Sequence, residues 1–134
     1  RRLVVARCDR PAFESLARRQ GRPPTAEERE TLARCYVGCL EAAAEASLAS
    51  VAFCCISTGL FGYPHAAAAA CAVETVTSWL RAQPPAACSI GCVVFDVFTD
   101  DDARAYAGVT ARARRAGTWD GADEHEGDAS RSPD

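Results

Sequence analysis

The residues best suited to chemistry lie in one short segment, Ser57-Thr58-Gly59-Leu60-Phe61-Gly62-Tyr63-Pro64. Two glycines and a proline so close together predict a loop rather than a helix or a strand. Glycine lacks the Cβ atom that would block a phosphate, and outward-pointing N–H groups in such a turn bind anions. The hydroxyl groups of Ser57 and Thr58 add two donors. The segment therefore predicts a phosphate-type site, and the alternative is a tight loop with an aromatic residue packed into the core.

The flanking residues predict where this loop lies. Val51–Ile56 is continuously apolar, which is typical of a parallel strand covered on both faces. Pro64 is well placed to open the next helix. Ligands of open α/β sheets bind beyond the carboxyl ends of the strands, and a helix N-terminus there favours anions. We therefore expect an anion cradle that needs no Lys or Arg, with Phe61 and Tyr63 facing the surface to pack against a sugar ring or a base.

Strand-like and helix-like segments follow one another along the chain, and their order predicts the fold class. The order β-α-β-α-β-α implies parallel strands joined by right-handed crossovers, and hence a three-layer α/β/α arrangement. The predicted strands are Leu3–Ala6, Val51–Ile56 and Ser89–Phe95, and the predicted helices are Ala26–Ala46, Pro64–Arg81 and Thr99–Arg115. Thr25 and Glu28 have the spacing of a capping box at the first helix. Three strands would leave unpaired edges, so the sheet is expected to be incomplete.

Composition and charge exclude two classes of partner. The net charge is −3, and all 15 basic residues are Arg. A surface that binds a nucleic-acid polymer needs a basic footprint, so we expect no such partner. No window of ~18 apolar residues occurs, and we therefore expect no membrane partner.

The eight cysteines predict a reducing compartment. No signal peptide is visible, and most of the cysteines lie in apolar periodic segments, where a free thiol packs as a small hydrophobe. We therefore expect a cytoplasmic protein with mostly buried thiols. Cys35 with Cys39, and Cys88 with Cys92, lie four residues apart, but zinc sites use tighter knuckles completed by histidine. Packing is the expected role of these residues and of Cys54–Cys55.

The remaining polar candidates have simple structural explanations. His65 follows Pro64 at a helix start and is expected to be exposed to solvent rather than catalytic. The run Asp100–Asp102 could suggest a site for a hard metal ion, but capping of the last helix is the simpler explanation.

The string Ile56-Ser57-Thr58-Gly59-x-Phe61-Gly62-Tyr63-Pro64, followed by an Ala-rich helix that ends in Val73-Glu74-Thr75-Val76, resembles the second half of macrodomains. Leu32–Leu40 fits the helix before the strand in that family, and Val93–Phe95 fits the strand after it. The Cys54-Cys55 pair and the Cys35-Tyr36…Cys39-Leu40 pattern look closest to bacterial zinc-containing macrodomains that remove ADP-ribose from proteins.

The resemblance implies both a ligand and its contacts. In macrodomains this loop wraps the diphosphate and the distal ribose of ADP-ribose. The N–H groups from Ser57 to Phe61 would meet the phosphates, and Phe61 or Tyr63 would flank the ribose. The implied binding residues are Ile56, Ser57, Thr58, Gly59, Leu60, Phe61 and Tyr63. The implied partner is ADP-ribose or an ADP-ribosylated protein.

The chain also departs from the family pattern. Arg1–Pro24 offers no counterpart of the adenine-reading acid, the Asn-containing segment, the first glycine-rich loop or the Cys/His/Cys zinc ligands of the family's first half. We therefore expect a strand plus irregular loop over 1–24, the C-terminal half of a macrodomain over 25–115, and an acidic disordered tail over 116–134. We expect no zinc in this chain, although the complete family domain holds it.

Three functions stay open on the sequence. The resemblance favours the ADP-ribosyl hydrolase type, with catalytic residues unknown and with this chain inactive alone because the first half is missing. The alternatives are a non-catalytic ADP-ribose reader and a truncated remnant without autonomous function. The oligomeric state and the modified amino acid are not indicated.

Overall fold

The computed structural model describes residues 22–59, 62–84 and 86–118. The elements within them are α1 (Ala26–Glu45), β1 (Ser50–Cys54), α2 (His65–Ala82), β2 (Cys92–Asp96) and α3 (Asp100–Arg115). The three predicted helices and the two later strands are confirmed with small shifts at their ends. The predicted strand Leu3–Ala6 and most of the predicted tail lie outside the described residues.

Side-chain caps fix the starts of two helices. At α1, the hydroxyl of Thr25 accepts from the N–H of Glu28 at 3.2 Å, and the Glu28 carboxylate accepts from the N–H of Thr25 at 2.8 Å. This is the predicted capping box. Arg22 also donates to the buried Glu28 carboxylate, at 2.7 Å. At α3, the hydroxyl of Thr99 accepts from the N–H of Asp102 at 3.1 Å. Both caps satisfy N–H groups that a helix start leaves without partners.

β1 and β2 pair in parallel, with Ser50 opposite Cys92 and Cys54 opposite Asp96. The pairing confirms the parallel sheet, in which α2 makes the crossover. β2 begins at Cys92 rather than at Ser89. Before it, the N–H groups of Gly91 and Cys92 both donate to Ala49 O, so the chain joins the sheet through a bend.

One face of the sheet is packed against the helices through an aromatic row. The ring of Phe53 lies 5.0 Å from that of Tyr36 on α1 and 6.2 Å from that of Phe95 on β2. Phe95 in turn lies 5.2 Å from Tyr106 on α3. The core is completed by small and aliphatic residues, chiefly Leu32, Leu40, Ala68, Ala69, Cys71, Ala72, Val73, Val76 and Val109. The row therefore ties α1, the sheet and α3 together.

The opposite face of the sheet is bare within the described residues. Ala52 and Cys54 of β1, and Cys92 and Val94 of β2, are all exposed. Side chains alternate along a strand, so these four share the face that points away from the helices. The mixed α/β architecture with an incomplete parallel sheet is confirmed, and two of the three predicted layers are seen in the described part.

The described cysteines are all free thiols. Cys35 and Cys71 are buried, as predicted, but Cys54 and Cys92 are exposed. The packing role expected of the latter two is wrong for the described structure, because both lie on the bare face.

No described helix is both long and apolar enough to cross a membrane.

Candidate functional site

The loop between β1 and α2 closes on itself through backbone hydrogen bonds. Tyr63 N donates to Ser57 O at 2.9 Å, and Gly62 N donates to Gly59 O at 3.0 Å. Gly62 has a φ of 61°, a left-handed conformation that glycine adopts without strain. The predicted contacts Leu60 and Phe61 lie outside the described residues. The closed geometry holds the rest of the loop at the carboxyl end of β1.

Three successive N–H groups in this loop, those of Ser57, Thr58 and Gly59, donate to no group in the part of the chain that the structure describes. Ser57 has a φ of 71°, and a left-handed residue turns neighbouring N–H groups toward one side, an arrangement that binds anions. The N-terminus of α2 follows directly and adds partial positive charge.

The two predicted hydroxyl donors differ in availability. Thr58 Oγ1 donates to Cys55 O at 3.2 Å, so this hydroxyl holds the loop together. Ser57 Oγ is buried and has no hydrogen-bond partner among the described residues. A buried hydroxyl without a partner costs about 1–3 kcal/mol. Ser57 therefore combines an unusual backbone conformation with an unsatisfied polar atom, in the centre of the predicted site.

Tyr63 occupies the core rather than the surface. Its residue exposure is 1 %, so the prediction that it faces a ligand on the surface is wrong. The reason is its place just before α2, from which its side chain enters the helical core. Ile56 is partly buried and packs against the same core.

His65 and Asp102 form a hydrogen-bonded pair beside the loop. His65 Nδ1 lies 2.6 Å from Asp102 Oδ1, and Thr99 Oγ1 donates to Asp102 Oδ2 at 2.7 Å. The Asp102 side chain is buried, whereas that of His65 is 36 % exposed. Burial would raise the pKa of Asp102, but hydrogen bonds from Thr99 and His65 hold it below its usual value. The expectation of a solvent-exposed His65 is therefore wrong in part, because the ring is partly buried and held.

Cys55 adjoins this pair at the end of β1. Its Sγ lies 3.6 Å from Asp96 O. Burial and the nearby Asp102 carboxylate raise the pKa of Cys55 to about 11. The thiolate is the nucleophilic form of cysteine, so this thiol is a poor nucleophile at neutral pH.

An aromatic side chain that the sequence reasoning missed stands just past β2. Phe98 is 94 % exposed, and its neighbour Val97 is 39 % exposed. Both follow the carboxyl end of β2, at the same edge of the sheet as the loop. The signal in the sequence was an apolar pair between a strand and the helix cap Thr99.

Other surface features lie between the first two helices. Two grooves run between α1 and α2 beside the Arg29–Glu74 ion pair, and one of them reaches Tyr63. No group of three or more metal-ligating side chains occurs among the described residues.

Residues 17–72 match the family described as Macro domain. Over these residues the chain is similar to a Macro domain. The chain is 46 % identical over 84 residues to the protein-ADP-ribose hydrolase of Staphylococcus aureus strain Mu50, an alignment that covers 63 % of this chain and 30 % of the relative. It is 45 % identical over 94 residues to a probable bifunctional ADP-ribose hydrolase/ADP-ribosyltransferase of Fusarium oxysporum f. sp. cubense. This alignment covers 66 % of this chain and 15 % of the relative.

Solved macrodomains share the fold. The Oceanobacillus iheyensis macrodomain with ADP aligns with a TM-score of 0.60 at 31 % identity, over 66 % of this chain and 44 % of that one. A Trypanosoma brucei macrodomain in complex with ADP aligns with a TM-score of 0.56 at 28 % identity, over 60 % of this chain and 34 % of that one. The chain thus spans less than half of these macrodomains and less than a third of the two curated relatives.

Proposed function

We propose that this Macro domain segment binds the diphosphate and distal ribose of ADP-ribose, free or attached to a protein, as part of a protein ADP-ribosyl hydrolase. The observation that carries the proposal is the run of open N–H groups at Ser57, Thr58 and Gly59, next to the N-terminus of α2. These groups offer directed donors to phosphate oxygens. The buried Ser57 hydroxyl, which has no described partner, supplies one more.

The layout of the edge supports a nucleotide rather than a simple phosphate. The loop follows β1, and the exposed Phe98 ring follows β2. Adjacent strands lie about 4.8 Å apart, so the two features are neighbours. N–H donors for phosphate oxygens, next to an exposed aromatic ring, suit a ligand that has both phosphates and planar rings. The ADP bound to the two solved macrodomains supports the same ligand class.

Hydrolysis by this chain alone is not part of the proposal. Cys55 has a raised pKa, and the described residues offer no metal-binding cluster. We propose that the segment binds no stoichiometric zinc and contributes half of a binding cleft. Elemental analysis after dialysis should give well under one zinc per chain, and a stoichiometric, chelator-sensitive zinc would contradict this.

The proposed affinity is weak. We expect ADP-ribose to bind this chain with a Kd of ~0.1–1 mM, about −4 to −5.5 kcal/mol. A few N–H donors must offset the several kcal/mol that association costs in translational and rotational freedom. A nitrogen-15 NMR titration of the 134-residue chain should show the largest shifts at Ser57, Thr58 and Gly59. AMP, which lacks the diphosphate, should leave these signals nearly unchanged.

Gly59→Val tests the site directly. A Cβ atom at Gly59 would meet nothing within 4 Å in the free chain, so the variant should fold normally. Its side chain would occupy the space of the phosphate, and binding should be lost. The matched control is Gly38→Val on α1, where a Cβ also meets nothing within 4 Å. Equal binding by wild type and Gly59→Val would refute the loop as the site. Micromolar binding by wild type would refute the proposal that this chain contributes only half of the binding cleft.

A further inference from the structure

His65 and Asp102 meet at the edge where the proposed ligand would lie, although they are far apart in sequence. His65 is the first residue of α2, and Asp102 lies in the first turn of α3. Both helices begin where the strands end, and His65 follows the anion loop after Pro64. The pair therefore stands beside the open N–H groups rather than on the far side of the fold.

The geometry of the pair fixes which ring atom is available. Nδ1 faces the buried Asp102 carboxylate at 2.6 Å, and Thr99 satisfies the other carboxylate oxygen. A carboxylate partner assigns the Nδ1 position a proton. Nε2 has no hydrogen-bond partner among the described residues, and the ring is partly exposed. Nε2 is then the atom that can meet a ligand, as an acceptor in the neutral ring and as a donor in the imidazolium.

A deprotonated diphosphate only accepts hydrogen bonds, so Nε2 must act as the donor toward it. Asp96 ends β2, and Asp100–Asp102 opens α3, so carboxylates that repel a dianion lie at the same edge. The cation nearest them on α3, Arg104, is paired with Asp101 at 2.6 Å. Cys55 at the end of β1 stays neutral. When the ring is protonated, its Nδ1 side is paired with Asp102, and Nε2–H is the donor that remains for a phosphate oxygen.

We propose that His65, oriented by Asp102, is a proton-dependent contact for the diphosphate, so that ADP-ribose binding strengthens as the pH falls. This inference rests on the proposed function. The imidazolium form donates from Nε2 to a phosphate oxygen and the neutral ring does not, so the added affinity is lost as the pH rises. Each phosphate of ADP-ribose has a single, strongly acidic proton, so the ligand keeps its charge over this range.

The affinity arm of the test compares two pH values. Wild-type chain should bind ADP-ribose roughly tenfold more tightly at about pH 5.5 than at about pH 8. His65→Gln should show equal affinity at both, close to the wild-type value at the higher pH. Asp102→Asn should lose most of the pH dependence, since the ring is no longer oriented. The matched control Asp101→Asn removes a neighbouring exposed carboxylate and should keep the pH dependence.

A second arm follows the ring itself. The chain has 2 histidines, and the His65→Gln spectrum identifies the His65 ring signal. Its midpoint should move to higher pH when ADP-ribose is added and stay in place when AMP is added. Shifts of the Ser57–Gly59 amides with equal affinity at both pH values and an unmoved His65 midpoint would overturn this inference and leave the proposed function standing. Absence of binding at both pH values would overturn both.

Discussion

The two faces of the β1–β2 sheet have similar side chains and opposite surroundings. On one face Phe53 is only 5 % exposed and packs against Tyr36. On the other, Val94 is 49 % exposed and Cys54 and Cys92 are also exposed. The continuous apolar runs of both strands predict cover on both faces, and the described residues supply it on one. The chain spans 44 % of the aligned O. iheyensis macrodomain, so the bare face is consistent with the predicted half-domain.

The reactivity of the thiols should separate the two faces most strongly. Cys54 and Cys92 should be alkylated quickly at neutral pH, because both are exposed on the bare face. Cys71 is fully buried, and burial raises its pKa, so its modification requires opening of the fold. We expect a difference in rate of at least ~10³-fold. Peptide mapping over a time course measures it, and equal rates before denaturant is added would contradict the packed core.

Partial exposure alone should not make a thiol reactive. Cys55 is partly buried and has a pKa raised to about 11. Because the thiolate reacts and the thiol does not, Cys55 should stay slow at pH 7 and accelerate as the pH approaches that value. Cys54, its neighbour in sequence, is the internal reference within the same digest.

The stability of the covered face should depend on its aromatic row. Phe53→Ala removes the ring between Tyr36 and Phe95, and we expect a loss of about 3–5 kcal/mol in the free energy of unfolding. Urea denaturation measures the change. Val94→Ala on the bare face is the control and should change the value by less than about 0.5 kcal/mol. Similar losses for the two variants would mean that Val94 is covered in solution.

Local signals predicted most of the fold. The spacing of Thr25 and Glu28 predicted the start of α1, and the observed capping box begins there. Glycine and proline predicted the loop before α2. Burial depended on long-range packing instead: Tyr63 enters the core, and no local pattern distinguishes that from an exposed loop tyrosine.

The site was predictable only where it depends on local backbone. The loop was identified from its glycines, but the left-handed φ of Ser57 is uncommon for a residue with a Cβ atom. The His65–Asp102 contact joins residues 37 apart in sequence. It depends on how α2 and α3 pack, which a single sequence without its fold does not specify.

The free energy of unfolding should depend on pH through Asp102, a buried residue at the start of α3. The pKa of Asp102 is lowered in the folded chain, so its contribution to stability is present above the unfolded pKa of about 3.9 and is lost as the pH falls through the folded value. Asp102→Asn should cost about 1 kcal/mol at pH 7 and little at acidic pH. Chemical denaturation at several pH values measures this. Asp101→Asn is the exposed control, and an equal effect from both variants would show that only net charge matters.

The smallest expected effect is the one that defines the bare face. Val94→Asp places a charge on a strand. If this position were buried, the charge would strongly destabilise the sheet, because an unpaired buried charge costs several kcal/mol. Val94 is 49 % exposed here, and we expect a change of less than about 0.5 kcal/mol in the isolated chain. Val93→Asp, one residue earlier, points toward the helices and should be strongly destabilising. Urea denaturation of the two variants compares the faces directly. Destabilisation by Val94→Asp that matched Val93→Asp would show that the bare face is covered in solution.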